Sequence, residues 1–220
     1  DPYSCLNPKH TVYEILSFPL LYHKICKRSE VKDMIAHLLQ QVGMPPYYMN
    51  RYPHSFSGGQ RQRISIARAI GMKPDLMICD EIVSSLDVSI QAQMVELLLE
   101  LRKELGLALL FIAHDLSLVK TLSDRLYVMY LGKIVESGGT EDVLSRPRHP
   151  YTRALIEAVP TLDRSKPPAI LEGEVPSFTN MPVGCSFQNR CLHRSDQCQQ
   201  MPGITENQGR EVRCFHPLDK

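Results

Sequence analysis

Ser57-Gly58-Gly59-Gln60 opens a segment, Gln60 to Ile70, that reads as a helix. Serine is a favoured N-cap, and glycines let the backbone come close to whatever lies in front of the helix. The unpaired N–H groups and the positive dipole end then make an anion site, most naturally for phosphate. Further along, the apolar run Leu76-Met77-Ile78-Cys79 ends in two acids, Asp80 and Glu81. A phosphate cradle followed by a buried strand with a carboxylate pair at its exit points to nucleotide hydrolysis. A second apolar run, Leu107 to Ala113, ends at His114. Parallel strands that end together bring this imidazole near Asp80 and Glu81, at the carboxyl edge where α/β sheets bind ligands. There it can hydrogen-bond a terminal phosphate and sense its presence. Each motif also has a plain alternative. The acids can cap the next element, the histidine can be a satisfied core or surface residue, and Asp87 can be an N-cap. Arg61, Arg63 and Arg68 read as the solvated or helix-stabilising face of their helix rather than a basic patch.

The elements that must position these groups follow from periodicity. Ser29 to Val42 is an amphipathic helix, with Val31, Met34, Ile35, Leu38, Leu39 and Val42 on one face, Ser29 as N-cap and Gly43 with Pro45 and Pro46 as the stop. Asp1 to Ser29, with Pro2, Pro8 and Pro19, reads as mostly loop with short helical pieces. Asp87 begins a long helix, Val88 to Leu105, closed by Gly106. A short helix runs from Leu116 to Leu122, and Leu126–Leu131 with Lys133–Glu136 resembles a hairpin about Gly132. Two short helices, Glu141–Leu144 and Tyr151–Ala158, precede a change of character near Asp163, after which prolines, glycines and cysteines dominate. Strands alternating with helices predict an α/β layered fold with a parallel sheet.

Composition narrows the field. The chain has 220 residues and a net charge of +1, which gives no reason to expect nonspecific nucleic-acid binding. The longest nearly apolar run, Leu105 to Ala113, is too short to span a bilayer. Of seven cysteines, four (Cys185, Cys191, Cys198 and Cys214) crowd the final segment. With no secretory signal in view, such clustering suggests a metal site before disulfides. The spacings of five, six and fifteen residues contain no C-x2-C knuckle, which disfavours an ordinary zinc ribbon. Four reduced thiols and zinc both stay open.

Taken together, Ser57-Gly58-Gly59-Gln60, the apolar strand with Asp80-Glu81, Ser84 to Asp87, and His114 resemble, in that order, the signature, Walker B strand, D-loop and switch histidine of the ATP-binding cassette (ABC) transporter ATPases. The resemblance covers essentially the whole chain. Asp1 to Pro8, Tyr52-Pro53-His54, Asp87 to Gln93, Arg148 to Thr152 and the cysteine tail look like the oligopeptide and dipeptide importer branch, with a lean toward its F-type subunit.

This resemblance implies a P-loop NTPase-like cassette over residues 1–162, with a helical subdomain at about 9–55, and a small irregular Cys-rich segment over 163–220. It implies an ATPase that powers uptake of oligopeptides or dipeptides, with Glu81 and His114 catalytic. Ser57, Gly58, Gly59, Gln60, Asp80 and Asp87 would bind nucleotide, with Asp80 on Mg²⁺. The cofactors implied are ATP, Mg²⁺ and a [4Fe–4S] cluster on Cys185, Cys191, Cys198 and Cys214, with zinc as the alternative. The partners implied are a second ATPase in a head-to-tail heterodimer, two membrane permease subunits and an extracytoplasmic peptide-binding protein, with no nucleic acid. The place implied is the cytoplasmic face of the membrane. Importers of nickel or another small solute, and non-transport cassette ATPases, are the rival readings.

Three departures accompany the resemblance. The Walker A loop and the Q-loop glutamine are not in the chain, which opens mid-motif at Asp1 and reads as a fragment inactive alone. Ile82 stands where proline is usual, and Cys79 precedes Asp80 as a small buried hydrophobe.

Overall fold

The computed structural model describes residues 5–84, 86–159 and 173–218. The chain divides into two compact units, Asp1–His114 and Asp115–Lys220. The expected change of character near Asp163 falls outside the described residues.

The first unit opens with helix α1, Val12–Tyr22, where the sequence suggested mostly loop. The helix is set by a capping box: Thr11 Oγ1 accepts from the Glu14 N–H at 3.3 Å and Glu14 Oε2 accepts from the Thr11 N–H at 2.7 Å. The Thr11 N–H, together with the Thr11 hydroxyl that donates to the same Glu14 Oε2 at 3.0 Å, holds the Glu14 carboxyl below its usual range. Pro19 lies inside α1 and forfeits one backbone bond, but Val12, Ile15, Leu16 and Leu20 bury the apolar face. Helix α2 is Val31–Gln41 and begins after Glu30 rather than Ser29, with no side-chain cap bond. Instead the Glu30 carboxylate accepts from the Lys27 N–H at 3.0 Å.

Helix α3, Gly58–Ile70, leads to strand β1, Leu76–Asp80. Helix α4, Val88–Leu105, then crosses over to strand β2, Ala108–Ile112. Gly106 closes α4 at φ 67°, a left-handed turn that costs glycine nothing. The two strands pair in parallel, from Leu76 opposite Ala108 to Asp80 opposite Ile112. Burial on both faces was expected, yet the strands alternate. Met77 and Cys79 are buried, whereas Leu76, Ile78, Leu110 and Ile112 are exposed. The unit covers one face of this pair and leaves the other open.

In the second unit, helix α5 spans Leu116–Leu122. Strands β3, Arg125–Tyr130, and β4, Lys133–Gly139, form the expected hairpin. Helices α6, Thr140–Ser145, and α7, Pro150–Glu157, follow. The tail was expected to lack regular structure. It contributes a second hairpin, β5 at Thr205–Asn207 and β6 at Arg210–Val212, and β6 pairs antiparallel with β4. The sheet order is therefore β3-β4-β6-β5.

The core of this unit gathers Val128, Tyr130, Val135, Val143, Cys185 and Phe187, with the Tyr130 and Tyr151 rings 4.6 Å apart. Beneath it the buried Glu136 carboxylate accepts from the backbone N–H groups of Arg148 (2.8 Å) and His149 (2.9 Å) and from Arg210 Nη2 (2.8 Å). A buried carboxylate requires such compensation. His149, 1% exposed, caps α7 by accepting from the Tyr151 N–H at 3.0 Å. Arg148 to Thr152 thus has a structural reason for its composition.

Burial holds His149 neutral, its pKa pushed down from 6.5 to about 4. As pH falls below 6.5 the unfolded chain takes up a proton that the folded chain refuses until about pH 4. Stability contributed by neutral His149 is therefore complete above pH 6.5 and is lost on acidification across that window. The size is on the order of 3 kcal/mol. Urea titrations at a series of pH values should show a shallower loss for His149→Asn, which can cap but does not titrate, than for the parent chain. Parallel slopes would refute the assignment.

Candidate functional site at the carboxyl edge of the parallel strands

The expected catalytic and nucleotide-binding residues all lie in the first unit, and the expected metal cysteines in the second; the parallel register brings three of the former to one edge. Beyond Asp80 the chain turns sharply. Glu81 adopts φ 46°, in the left-handed region that costs a non-glycine residue on the order of 1–3 kcal/mol. It keeps one ladder bond, its N–H donating to the Ile112 carbonyl at 3.0 Å. The bond ties the exit of β1 to the exit of β2, and His114 follows two residues after Ile112. His114 Nδ1 stands 3.6 Å from Glu81 Oε1, and both side chains are well exposed at 73% and 57%. A carboxylate and an imidazole so placed are neighbours without a hydrogen bond between them, and both can reach a ligand in front of the edge. Asp80 is exposed beside them.

After Glu81 the chain is pinned by its own carbonyls. The Ser84 N–H and hydroxyl both donate to Glu81 O, at 3.1 and 2.9 Å, and the Leu86 N–H donates to Val83 O at 3.1 Å. Asp87 occupies the N-cap position of α4 but makes no side-chain cap bond. Its carboxylate is exposed.

At the other end of the site, Ser57 caps α3 as expected, and the cap is reciprocal. Ser57 Oγ accepts from the Gln60 N–H at 3.4 Å, and Gln60 Oε1 accepts from the Ser57 N–H at 3.1 Å. The helix starts at Gly58, so both glycines lie in its first turn with N–H groups aimed ahead of the helix. Gly59 is required by contact as well: a Cβ there would lie 2.7 Å from Ile90 Cγ2 on α4.

Of the two readings of the α3 arginines, solvated or helix-stabilising, their bonds favour the second. Arg61 Nε donates to Phe56 O at 3.1 Å, Arg63 Nη1 to Val42 O at 2.7 Å and Arg68 Nη1 to Cys5 O at 2.8 Å. They tie α3 to the loop before it, to the C-cap of α2 and to the start of the described chain. No local signal announces such bonds, since each partner is a backbone carbonyl.

In the second unit the tail cysteines approach one another. The Cys185 N–H donates to the Cys198 carbonyl at 2.9 Å, and the His216 N–H donates to Cys214 Sγ at 3.3 Å. Burial pushes the thiols of Cys185 and Cys191 up and that of Cys214 to about 11, and neighbouring thiols oppose ionisation further. All four cysteines are free thiols. Among the described residues no group of three or more His, Cys, Asp or Glu is arranged to hold a metal ion. The expected [4Fe–4S] cluster, and zinc in its place, are therefore not supported.

Both ends of the chain are similar to known families. Residues 2–84 match the family described as ABC transporter, and residues 135–198 match the oligopeptide/dipeptide transporter C-terminal region. The oligopeptide transport ATP-binding protein OppF of Salmonella typhimurium is 51% identical over 98% of this chain and 66% of its own length. OppF of Haemophilus influenzae is 48% identical over 99% of this chain and 68% of its own. A putative peptide import ATP-binding protein of Brucella abortus is 46% identical over 97% of this chain and 64% of its own. The chain thus spans just under two thirds, 66%, of the Salmonella relative. Among solved structures, cbiO1 of Clostridium perfringens, described as part of the ABC transporter complex cbiONQ, superposes with a TM-score of 0.60 at 28% identity. That match covers 66% of this chain and 57% of the other.

The contrast between the two N-caps gives a stability test. Ser57→Ala removes one side of a reciprocal cap and should cost about 1 kcal/mol. Asp87→Asn removes no cap bond and should cost under about 0.5 kcal/mol. Denaturant midpoints of the two variants measure the difference, and an Asp87→Asn cost equal to that of Ser57→Ala would contradict it.

Proposed function

Because the chain belongs to the ABC transporter ATP-binding family, in its oligopeptide/dipeptide branch, we propose that the whole protein binds and hydrolyses ATP to drive peptide uptake. The observation that carries the hydrolytic reading is the 3.6 Å approach of Glu81 to His114 at the shared exit of two parallel strands. The peptide assignment rests on the C-terminal match and on the relatives named above. In this reading residues 1–162 are the cassette, with about 9–55 as the helical subdomain that touches membrane subunits, and 163–220 are the peptide-transporter tail.

Each residue then has a task. Glu81 orients the attacking water and takes its proton, so its exposure is a requirement rather than a defect. His114 hydrogen-bonds the γ-phosphate and loses that contact when the phosphate leaves. Asp80 would hold Mg²⁺, which would neutralise charge on the phosphates. Ser57, Gly58 and Gly59 present the amide end of α3 to a nucleotide carried by a second cassette packed head to tail. Gln60 holds that end in shape through the Ser57 N–H, and Asp87 reaches toward the same partner. ATP bridges the two cassettes, which are unlike chains, and hydrolysis releases them. Two membrane permease subunits would turn this cycle into alternating access, supplied by an extracytoplasmic peptide-binding protein. The ATPase would sit at the cytoplasmic face of the membrane. Consistent with a peripheral subunit, no helix among the described residues is long and apolar enough to cross a membrane.

The test is turnover by the full-length protein assembled with its partner cassette. Glu81→Gln should lower kcat by about 100-fold or more while ATP still binds. Hydrolysis at the parent rate in Glu81→Gln would overturn the role of Glu81.

A further inference from the structure

One side chain near the site has so far been given no task. Gln91 sits one turn into α4, and its amide nitrogen donates both hydrogens to backbone carbonyls, Val83 O at 3.0 Å and Leu86 O at 3.0 Å. An amide NH₂ has two donors, and here both are spent on the turn between Glu81 and Asp87. Val83 O already accepts from the Leu86 N–H at 3.1 Å, so the amide strengthens a bond the turn makes for itself. Two consequences follow from the same contacts. The turn is held without help from the Asp87 carboxylate, which makes no cap bond. And Ile90, the residue before Gln91, is the side chain against which Gly59 of α3 is packed, at a distance that no Cβ could occupy. The clamp, the free carboxylate and the α3 amide end are therefore joined through one turn of α4.

We propose that Gln91 is a positioning residue for ATP hydrolysis: by clamping Val83 O and Leu86 O it holds the Asp87 carboxylate outward and fixes the first turn of α4, through Ile90, against Gly59. This rests on the hydrolytic reading above. Gln91 touches neither nucleotide nor water and acts only through the turn it holds. Loss of the clamp lets that turn open and Asp87 fall back onto the α4 N-terminus as an ordinary cap. The binding of ATP to the parts that hold it is untouched, so the effect falls on kcat rather than on KM.

Two variants of the full-length protein, assembled with its partner cassette, test this. Gln91→Met keeps the length of the side chain and removes both donors. Gln91→Lys restores donors at similar reach. Gln91→Met should lower kcat by about tenfold with KM for ATP changed by less than about twofold, and Gln91→Lys should recover most of the loss. Amide hydrogen exchange supplies a reading independent of turnover. The Leu86 N–H should exchange about tenfold faster in Gln91→Met and return toward the parent rate in Gln91→Lys. Parent-level kcat in Gln91→Met, or an unchanged Leu86 exchange rate, overturns the proposal and leaves hydrolysis standing. A parent assembly that fails to turn over ATP, with the exchange contrast intact, sinks the hydrolytic reading and leaves the clamp as a property of the turn alone.

Discussion

The in-register parallel pairing of β1 with β2 is the constraint on which the first unit depends. The ladder runs from Leu76 opposite Ala108 to Asp80 opposite Ile112 and closes with the Glu81 N–H on the Ile112 carbonyl. A slip of one residue would move Met77 and Cys79 onto the open face and pull Glu81 away from His114. Register is therefore fixed by burial at one end of the strands and expressed as chemistry at the other. The apolar residues of β1 have two functions at once: they specify the core, and they aim the carboxylates that follow them.

A second theme is how backbone carbonyls are held where regular structure stops. Helix ends and turns leave orphan carbonyls that water or side chains must satisfy. In the first unit the donors come from α3 and α4. Arg63 takes the Val42 carbonyl at the end of α2, Arg68 takes that of Cys5, and Gln91 takes those of Val83 and Leu86. Arginine offers donors and no acceptor, which suits it to this task. In the second unit the orphans are N–H groups ahead of α7, and the answer is a buried acid. Glu136 accepts from Arg148 and His149, while Arg210 from the tail hairpin balances its charge. The tail is thereby bound to β4 by an ion pair as well as by strand pairing.

Much of this was legible in the sequence, and the failures have physical causes. The exits of β1 and β2, the helix α5 and the hairpin about Gly132 carry strong local signals: apolar runs, an Asp115 cap and a glycine at a tight turn. Helix α1 was obscured by Pro19, although Thr11 and Glu14 already spelled a capping box. The open face of β1 could not be read, because Leu76 and Ile78 are as apolar as buried residues and only the arrangement of the unit decides which side is covered. The hairpin β5–β6 is three residues per strand, too short for periodicity to register. Long-range bonds such as Arg68 to Cys5, or the Gln91 clamp, have no sequence signature at all, since any carbonyl can be the partner. The cysteines were legible as a cluster, but burial and the chemistry of the pocket were not.

Lys24 and Lys73 are left-handed elsewhere in the first unit, but three departures from local stability fall together at the proposed site. Glu81 accepts a left-handed backbone that a glycine would adopt at no cost. Asp87 stands at an N-cap and declines the bond that would stabilise α4. Gly58 lengthens a helix from the end where glycine is least helpful, and leaves its own N–H open. A sequence optimised only for folding would correct each of these, with glycine at the turn, a bonded cap and better helix formers. Local rules broken together along one edge, while the capping box at Ser57 and the clamp at Gln91 hold the surroundings firm, mark a surface shaped for something outside the chain. In the proposed reading the positive end of α3 would face a polyphosphate, while the carboxylates at the strand exits, of the same sign as the ligand, would meet it only through Mg²⁺ and water.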